Sequence, residues 1–387
     1  MNNDIKVLHV GKYYPPSPGG MEVMVKDIGD YLSCRGYHVD TLCFCRDQPS
    51  SVRLQRGRGR ILLMKELIRL RSAPFSFRYF FWMIVHAKEY DIVHIHLPNP
   101  SAILAGLLLA FFRVKMIVHW HSDIIDQKYL YKLIRPFEQM LLRRVDKIIC
   151  TSDIYMKNSL PLKKWQSKCV IVPLGISDPF TSVRANDEKD DLLRKKFFSK
   201  QILFVGRLVP YKGLSHLIRA MSLLDTSFSL IIAGDGPLAE ELNELILSEE
   251  LSHRVHMMGE ISDQQKYHLM QESGLFVLPS VTKNEAFGIV LLEAMAAGTP
   301  VISTKITGSA TGVVNVNRHT GFVVEPGNIH EMAESIAEIF SEYSKYCAFS
   351  NHSREHYLTH YQTSTVNPMV EKIYQDVSVV SEGLRDV

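Results

Sequence analysis

Short apolar runs recur along the chain, each closing in glycine, proline or small polar residues. Ile5 to Val10 is the first and predicts a strand. It enters a segment from Gly11 to Gly20 too rich in Pro and Gly for anything but a loop. A helix is expected from Met21 to about Arg35, stopped by Gly36, with a second strand over Val39 to Cys45. Further strands are read at Ile92 to His96, Lys115 to Trp120, Lys147 to Thr151 and Cys169 to Pro173. Helical patterns lie at Phe75 to Val85 and Ser101 to Phe112, and Ser152-Asp153 reads as a helix cap. Residues 177–199 are polar and charged, the composition of a hinge. A second series then begins, with strands at Gln201 to Val205, Phe228 to Ala233, Arg254 to Met258, Leu275 to Leu278, Val301 to Thr304 and Gly321 to Val324. Amphipathic helices follow at Met332 to Tyr343 and Val370 to Val380. Strands alternating with helices predict an α/β protein of two parallel, doubly wound sheets, with domains at 1–176 and 177–365 and a tail at 366–387. A ligand is expected in a cleft between two such domains.

Composition narrows the class. The 387 residues are 46% hydrophobic and 22% charged, ordinary for a globular chain with room for two cores. The longest apolar run, Ala102 to Phe112, is 11 residues, where a membrane span needs about 20. Met1-Asn2-Asn3-Asp4 leads straight into a strand, so no signal peptide is read. Six cysteines without CxxC spacing suit a reducing, cytoplasmic location.

Charge is divided unevenly. Residues 1–175 carry 26 Lys+Arg against 14 Asp+Glu, and the rest carry 18 against 27. The first half therefore faces something anionic. Its densest basic stretch, Arg53 to Arg71, sets seven Arg/Lys among Ile61, Leu62, Leu63, Met64, Leu67, Ile68 and Leu70. That mixture suits a helix lying on an anionic membrane surface, or a solvated basic helix packed on its own domain. Nucleic acid is the weaker partner, since no binding motif accompanies the charge.

The chemistry gathers at strand ends. Glu285 and Glu293 stand eight residues apart, across Phe287, Gly288 and Ile289, where a helix begins after the Leu275 strand. A helix start holds phosphate through free N–H groups, and a carboxylate on either flank can accept bonds from sugar hydroxyls. An amphipathic helix with two solvated glutamates would show the same pattern. Arg207 and Lys212, five residues apart in a glycine-bounded loop after a strand, form a natural diphosphate clamp. Gly19-Gly20 precedes a helix and allows an anion close to the backbone. No GxGxxG is present, which argues against a dinucleotide oxidoreductase. His121 and Asp123 follow a strand, where parallel sheets bind ligands. The alternative for His119 and His121 is a metal pair, or two structural histidines that cap a loop. No metal is assigned, because no further His or Cys cluster lies close in sequence.

Taken together, Gly19-Gly20-Met21-Glu22, His121-Ser122-Asp123, Gly206-Arg207-Leu208 with Lys212-Gly213, Gly234-Asp235-Gly236-Pro237, and Glu285-x-Phe287-Gly288-x4-Glu293 resemble a retaining, nucleotide-sugar-dependent glycosyltransferase of the GT-B fold. The likeness covers nearly the whole chain, in the family's order. It implies an N-terminal acceptor domain, a C-terminal nucleotide-sugar domain and a last helix that crosses back to the first. It implies that Glu293 holds the donor ribose and that Glu285 stabilises the donor sugar. Backbone N–H groups of Phe287, Gly288 and Ile289 would meet the sugar or diphosphate. Arg207 and Lys212 would neutralise the leaving diphosphate, and Gly20 would approach it. His121 would contact the sugar near O6, and the loop at Glu260 and Ile261, beyond Gly234, would carry the base. No cofactor is implied beyond the co-substrate, GDP-mannose or a UDP-hexose.

The expected activity is hexosyl transfer to a lipid-linked glycan for O-antigen, lipopolysaccharide or capsule assembly. The protein would sit peripherally on the inner face of a bacterial inner membrane. A transferase with a soluble acceptor, or a sugar-nucleotide epimerase of the same fold, are the alternatives.

Overall fold

The computed structural model describes residues 5–17, 19–46, 53–70, 73–109, 112, 114–124, 128–180 and 186–382. The chain divides into two compact units, Met1–Gly175 joined by Thr363–Val387, and Ile176–Gln362.

The first unit contains β1 (Lys6–Val10), β2 (His38–Cys45), β3 (Arg53–Arg56), β4 (Gly59–Lys65), β5 (Ile68–Leu70), β6 (Ala73–Phe75), β7 (Ile92–Leu97), β8 (Lys115–Trp120), β9 (Lys147–Cys150) and β10 (Cys169–Ile171). Its helices are α1 (Gly20–Cys34), α2 (Phe77–His86), α3 (Pro100–Leu108), α4 (Lys128–Arg144) and α5 (Asp153–Asn158), followed by the last helix of the chain, Thr363–Glu382. The sheet runs β10-β9-β8-β7-β1-β2-β4-β3, and β5 and β6 form a separate antiparallel pair. Only the β3–β4 pairing in the large sheet is antiparallel. β7 is buried at every position, as a strand covered on both faces must be. Chain order reverses between β1 and β7, so the loops after these strands flank a switch point.

The basic stretch corrects the expectation of a helix. Residues 53–70 form strands, and Arg71 lies outside the described residues. β4 pairs in parallel with β2, and Ile61, Leu62 and Leu63 are buried there. Arg60 is bound to the Asp40 carboxylate at 2.7 Å, and Tyr90 donates to the same carboxylate at 2.6 Å. An internal carboxylate thus takes up one of the charges expected to face a membrane. The helix expected over 101–112 ends at Leu108, and residues 110 and 111 lie outside the described set.

The second unit contains β11 (Gln201–Val205), β12 (Ser229–Ala233), β13 (Val255–Gly259), β14 (Leu275–Leu278), β15 (Val301–Thr304) and β16 (Gly321–Val324). Its helices are α6 (Asn186–Ser199), α7 (Leu214–Ser222), α8 (Ala239–Ser248), α9 (Asp263–Glu272), α10 (Ile289–Ala296), α11 (Thr311–Val314), α12 (Ile329–Ile339) and α13 (Tyr343–His360); the last helix is α14. The sheet is wholly parallel, ordered β13-β12-β11-β14-β15-β16. This is the doubly wound order, with its reversal between β11 and β14.

The polar segment expected as a hinge over 177–199 holds α6 in its second part; residues 181–185 lie outside the described set. Lys196 on α6 is buried and bonds Thr299 Oγ1 at 2.9 Å, so a residue that reads as solvated is a packing element. No helix among the described residues is long and apolar enough to cross a membrane.

Candidate active site

The loop after β11 and the loop after β14 lie on either side of the reversal in the second sheet, where open α/β sheets bind ligands. The first carries Arg207 and Lys212, and the second carries Glu285. Lys212 Nζ donates to Glu285 Oε2 at 2.5 Å, and Ser280 Oγ donates to the same oxygen at 3.1 Å. Both charged residues are buried, at 8% and 9% exposure, so an ion pair is held largely out of water. The loop itself is held by Val281 N–H donating to Tyr211 O at 2.8 Å and by Ser309 Oγ donating to Glu285 O at 2.5 Å. Removing one partner of such a pair leaves the other charge uncompensated, which makes the geometry demanding.

Arg207 is exposed and reaches the Tyr211 hydroxyl at 3.3 Å. Its guanidinium is therefore available to an anion. Gly234 follows β12 with φ +132°, and a Cβ there would collide with the Gly206 carbonyl oxygen. That glycine lets the two strand ends close together behind Arg207. Gly288 caps α10 in the left-handed region, φ +82°, and Ile289 opens the helix. The first turn of any helix leaves N–H groups without intrahelical partners, so Gly288 and Ile289 stand at a natural anion site. Phe287 is buried and packs edge-on against Tyr361 at 6.0 Å.

Glu293 lies one turn into α10, where Lys266 on α9 bonds its Oε1 at 2.7 Å. Burial opposes both charges and pushes the Glu293 carboxyl up. Burial would also pull Lys266 down, but the carboxylate of Glu293 holds it well above its ordinary value. Glu260 is exposed just after β13, and Ile261 leads into the capping box of Ser262 and Gln265 that starts α9. Lys266, Ser280 and Ser309 were not singled out in the sequence. Only the Ser262-x-x-Gln265 cap hinted that a helix with Lys266 begins there.

In the first unit, Gly19 (φ +148°) precedes α1, and the Glu22 carboxylate lies where a Gly19 side chain would start. Burial pushes the Glu22 carboxyl up and the Lys12 ammonium down. Gly20 is the first residue of α1. Asp123 accepts from Trp120 Nε1 at 3.0 Å and from Ser159 Oγ at 2.7 Å, so it braces the loop after β8. Glu138 on α4 is buried, and burial pushes its carboxyl up to about 7.

His121 does not stand with His119 alone. β1, β7 and β8 lie side by side, and register sets His9 against His94 and His96 against His119. His9, His94, His96, His119 and His121 are all buried, and burial pushes His121 down to about 3. Two triads, His9/His94/His96 and His96/His119/His121, bring ligand nitrogens within 4.8 Å of one another. Sequence distance hid this cluster. The sign was the His-x-His spacing in two strands, which puts each pair on one face.

Comparison with known proteins agrees with this architecture. Residues 186–356 match the family described as glycosyl transferases group 1, and residues 18–178 match glycosyltransferase family 4. The chain is 31% identical to an O-antigen chain mannosyltransferase C of Escherichia coli, over 91% of this chain and 93% of that protein. It is 32% identical to the D-rhamnosyltransferase WbpZ of Pseudomonas aeruginosa, over 83% of each chain. Among solved structures, a sucrose-phosphate synthase from Thermosynechococcus elongatus superposes with a TM-score of 0.78 at 19% identity, over 97% of this chain and 100% of that one. Anabaena HepE in complex with UDP-glucose superposes with a TM-score of 0.74 at 19% identity, over 96% and 100%.

Proposed function

The chain belongs to the group 1 glycosyl transferases, with the GT-B fold, and we propose that within this family it is a retaining hexosyltransferase. In this reading it moves mannose or a related hexose from a nucleotide diphosphate sugar to a lipid-linked glycan, in O-antigen or capsular polysaccharide assembly. The observation that carries it is the buried Lys212–Glu285 pair, beside Arg207 and the start of α10, at the reversal of the second sheet. A mannosyl donor is favoured because the Escherichia coli relative is by name a mannosyltransferase.

The chemistry follows from the charges. As the bond from C1 to the diphosphate lengthens, C1 becomes oxocarbenium-like and negative charge grows on the leaving group. Arg207, Lys212 and the N–H groups at Gly288 and Ile289 stabilise that growing charge. When the diphosphate takes the Lys212 ammonium, Glu285 is released to face the positive sugar. The acceptor hydroxyl attacks C1 on the face the diphosphate leaves, and its proton passes to a diphosphate oxygen. Arg207 and Lys212 supply the cations this leaving group needs, so the reading calls for no metal. Glu293 is assigned to the donor ribose, the Glu260–Ile261 loop to the base, and Gly19, Gly20 and His121 to the donor by the resemblance.

A membrane-bound acceptor suits the first unit. α4 exposes Leu133, Phe137 and Met140 along one stripe, beside exposed Lys132, Arg135 and Arg143. Apolar residues flanked by cations match an anionic lipid surface better than water. In this reading the protein sits peripherally at the cytoplasmic face of a bacterial inner membrane.

The test is thermal protection with GDP-mannose, UDP-glucose and UDP-galactose, followed by proton NMR of the glycoside formed. GDP-mannose should protect most, and the product should keep the donor's anomeric configuration. An inverted product, or turnover of the donor to an epimer without acceptor, would end this reading.

A further inference from the structure

We propose that His94, Tyr374, His9 and His96 form a single-direction hydrogen-bond chain that holds His121 as an Nδ1–H donor, which makes them positioning residues for the donor-sugar contact assigned to His121 above. The role at the sugar rests on that assignment. The chain itself does not.

The links are continuous. His121 Nε2 faces His96 Nδ1 at 3.1 Å, and His96 Nε2 faces His9 Nδ1 at 3.3 Å. His9 Nε2 faces the Tyr374 hydroxyl at 3.0 Å, and that hydroxyl faces His94 Nδ1 at 2.5 Å. Burial pushes the His94, His96 and His121 imidazoles far below their ordinary range, so they are neutral at pH 7. A neutral imidazole has one N–H and one lone pair. His96 uses both nitrogens in the chain, so it must donate on one side and accept on the other, and His9 in its neutral form must do the same. One choice therefore fixes the rest.

Two orders satisfy every link. In one, protons point from His121 toward His94, and all four imidazoles carry hydrogen on Nε2. The order ends with the His94 Nε2–H, a fully buried nitrogen that has no hydrogen-bond partner among the described residues. In the other, His94 donates to Tyr374, Tyr374 to His9, His9 to His96 and His96 to His121, and all four carry hydrogen on Nδ1. That order leaves only a lone pair on His94 Nε2. A buried N–H without an acceptor is the rarer and costlier defect, so the second order wins. A mixed arrangement, with Tyr374 accepting from both sides, would strand the tyrosine proton. His121 then has Nδ1–H as the group it offers outside the chain, suited to an oxygen acceptor.

A metal at His96, His119 and His121 is one competing use of the cluster, and a metal at His9, His94 and His96, where the His94 and His96 rings stack 4.4 Å apart, is another. The His119 and His121 rings lie face to face, 4.4 Å apart and within 7° of parallel. A metal binds in the plane of each imidazole, and one ion cannot lie in both of these planes.

The experiment is two-bond proton–nitrogen NMR on the full chain with 15N-labelled histidine, assigned by single His→Gln variants. All four imidazoles of the chain should show Nδ1–H. His96→Leu should turn His121 into a mixture of tautomers and lower kcat about tenfold with KM less affected, the cost of one lost hydrogen bond. Nε2–H at His121 in the wild type, differing tautomers among the four rings, or a stoichiometric zinc content by atomic absorption would each overturn the proposal. These readouts need no transferase activity. Failure of the donor-sugar role alone would show as normal kcat in His96→Leu while the wild type shows Nδ1–H at all four rings.

Discussion

A charged residue read from sequence has a type and a position but no partner, and at this site the partner decides what it does. Lys212 and Glu285 were legible as separate candidates; their contact was not, because 73 residues separate them and only the neighbouring of β11 and β14 brings the loops together. Glu285→Ala and Lys212→Ala should each cut kcat by about 10²-fold, the scale of losing one preorganised charge contact, and Arg207→Ala should lower kcat as well as weaken donor binding. Steady-state kinetics with the donor found by thermal protection checks this. Near wild-type turnover in both variants would remove the assignment. Glu138 was not legible at all, since nothing in Phe137-Glu138-Gln139 signals burial. Its carboxyl is pushed up by burial from 4.5 to about 7. An acid raised in this way costs nothing below pH 4.5, where folded and unfolded chains are both protonated. The cost grows as pH rises toward 7, because the unfolded chain ionises first, and it is fully present above 7. Glu138→Gln should therefore raise Tm by about 5 °C at pH 8 and leave it nearly unchanged at pH 4.5. An equal shift at both pH values would show that ionisation is not the cause.

Elements whose burial covers both faces were the easiest to read. β7, β11 and β14 are short apolar runs between turn residues, and the structure places each within about a residue of its expected bounds. The basic stretch failed because alternating Arg and apolar residues fit two periods over a short window. Pairing with β2 selected the strand period and turned Ile61 and Leu63 into the cluster with Val25, Cys43 and Cys45. α4 shows the reverse. It begins beside a span outside the described residues and contains Pro136, so helix signals were weak, yet it carries the exposed apolar stripe. The membrane contact proposed above is assigned to this helix rather than to residues 53–71. Replacing Leu133, Phe137 and Met140 together by Ser should abolish co-sedimentation with anionic liposomes and spare transfer to a short soluble acceptor. Replacing Arg56 and Arg58 by Gln should change sedimentation far less. The opposite ranking would return the membrane contact to the basic strands.

For the whole molecule, repetition was the strongest signal: two strand–helix series of similar length already implied two doubly wound sheets. What periodicity alone could not say is which sheet the final helix serves. α14 shows one apolar stripe, and chain order would leave it with the second unit, where the preceding helices belong. It groups instead with the opening residues. Val366, Val370, Ile373, Tyr374 and Val377 are all buried, and Glu371 accepts from the Tyr31 hydroxyl at 2.8 Å on α1. Burying each apolar side chain contributes about 1.5–3 kcal/mol, so five of them approach the whole stability of a typical domain, about 5–15 kcal/mol. Ending the chain at Gln362 should therefore unfold the first unit and leave the second intact. Limited proteolysis of the truncated protein should destroy residues 1–175 and spare a fragment close to 176–362, which should still be protected by the donor nucleotide if Arg207, Lys212 and Glu293 hold it. Survival of the first unit without α14 would mean that its core closes over β1 and β7 unaided, and the histidine chain would then end at His9 in a protein that folds without Tyr374.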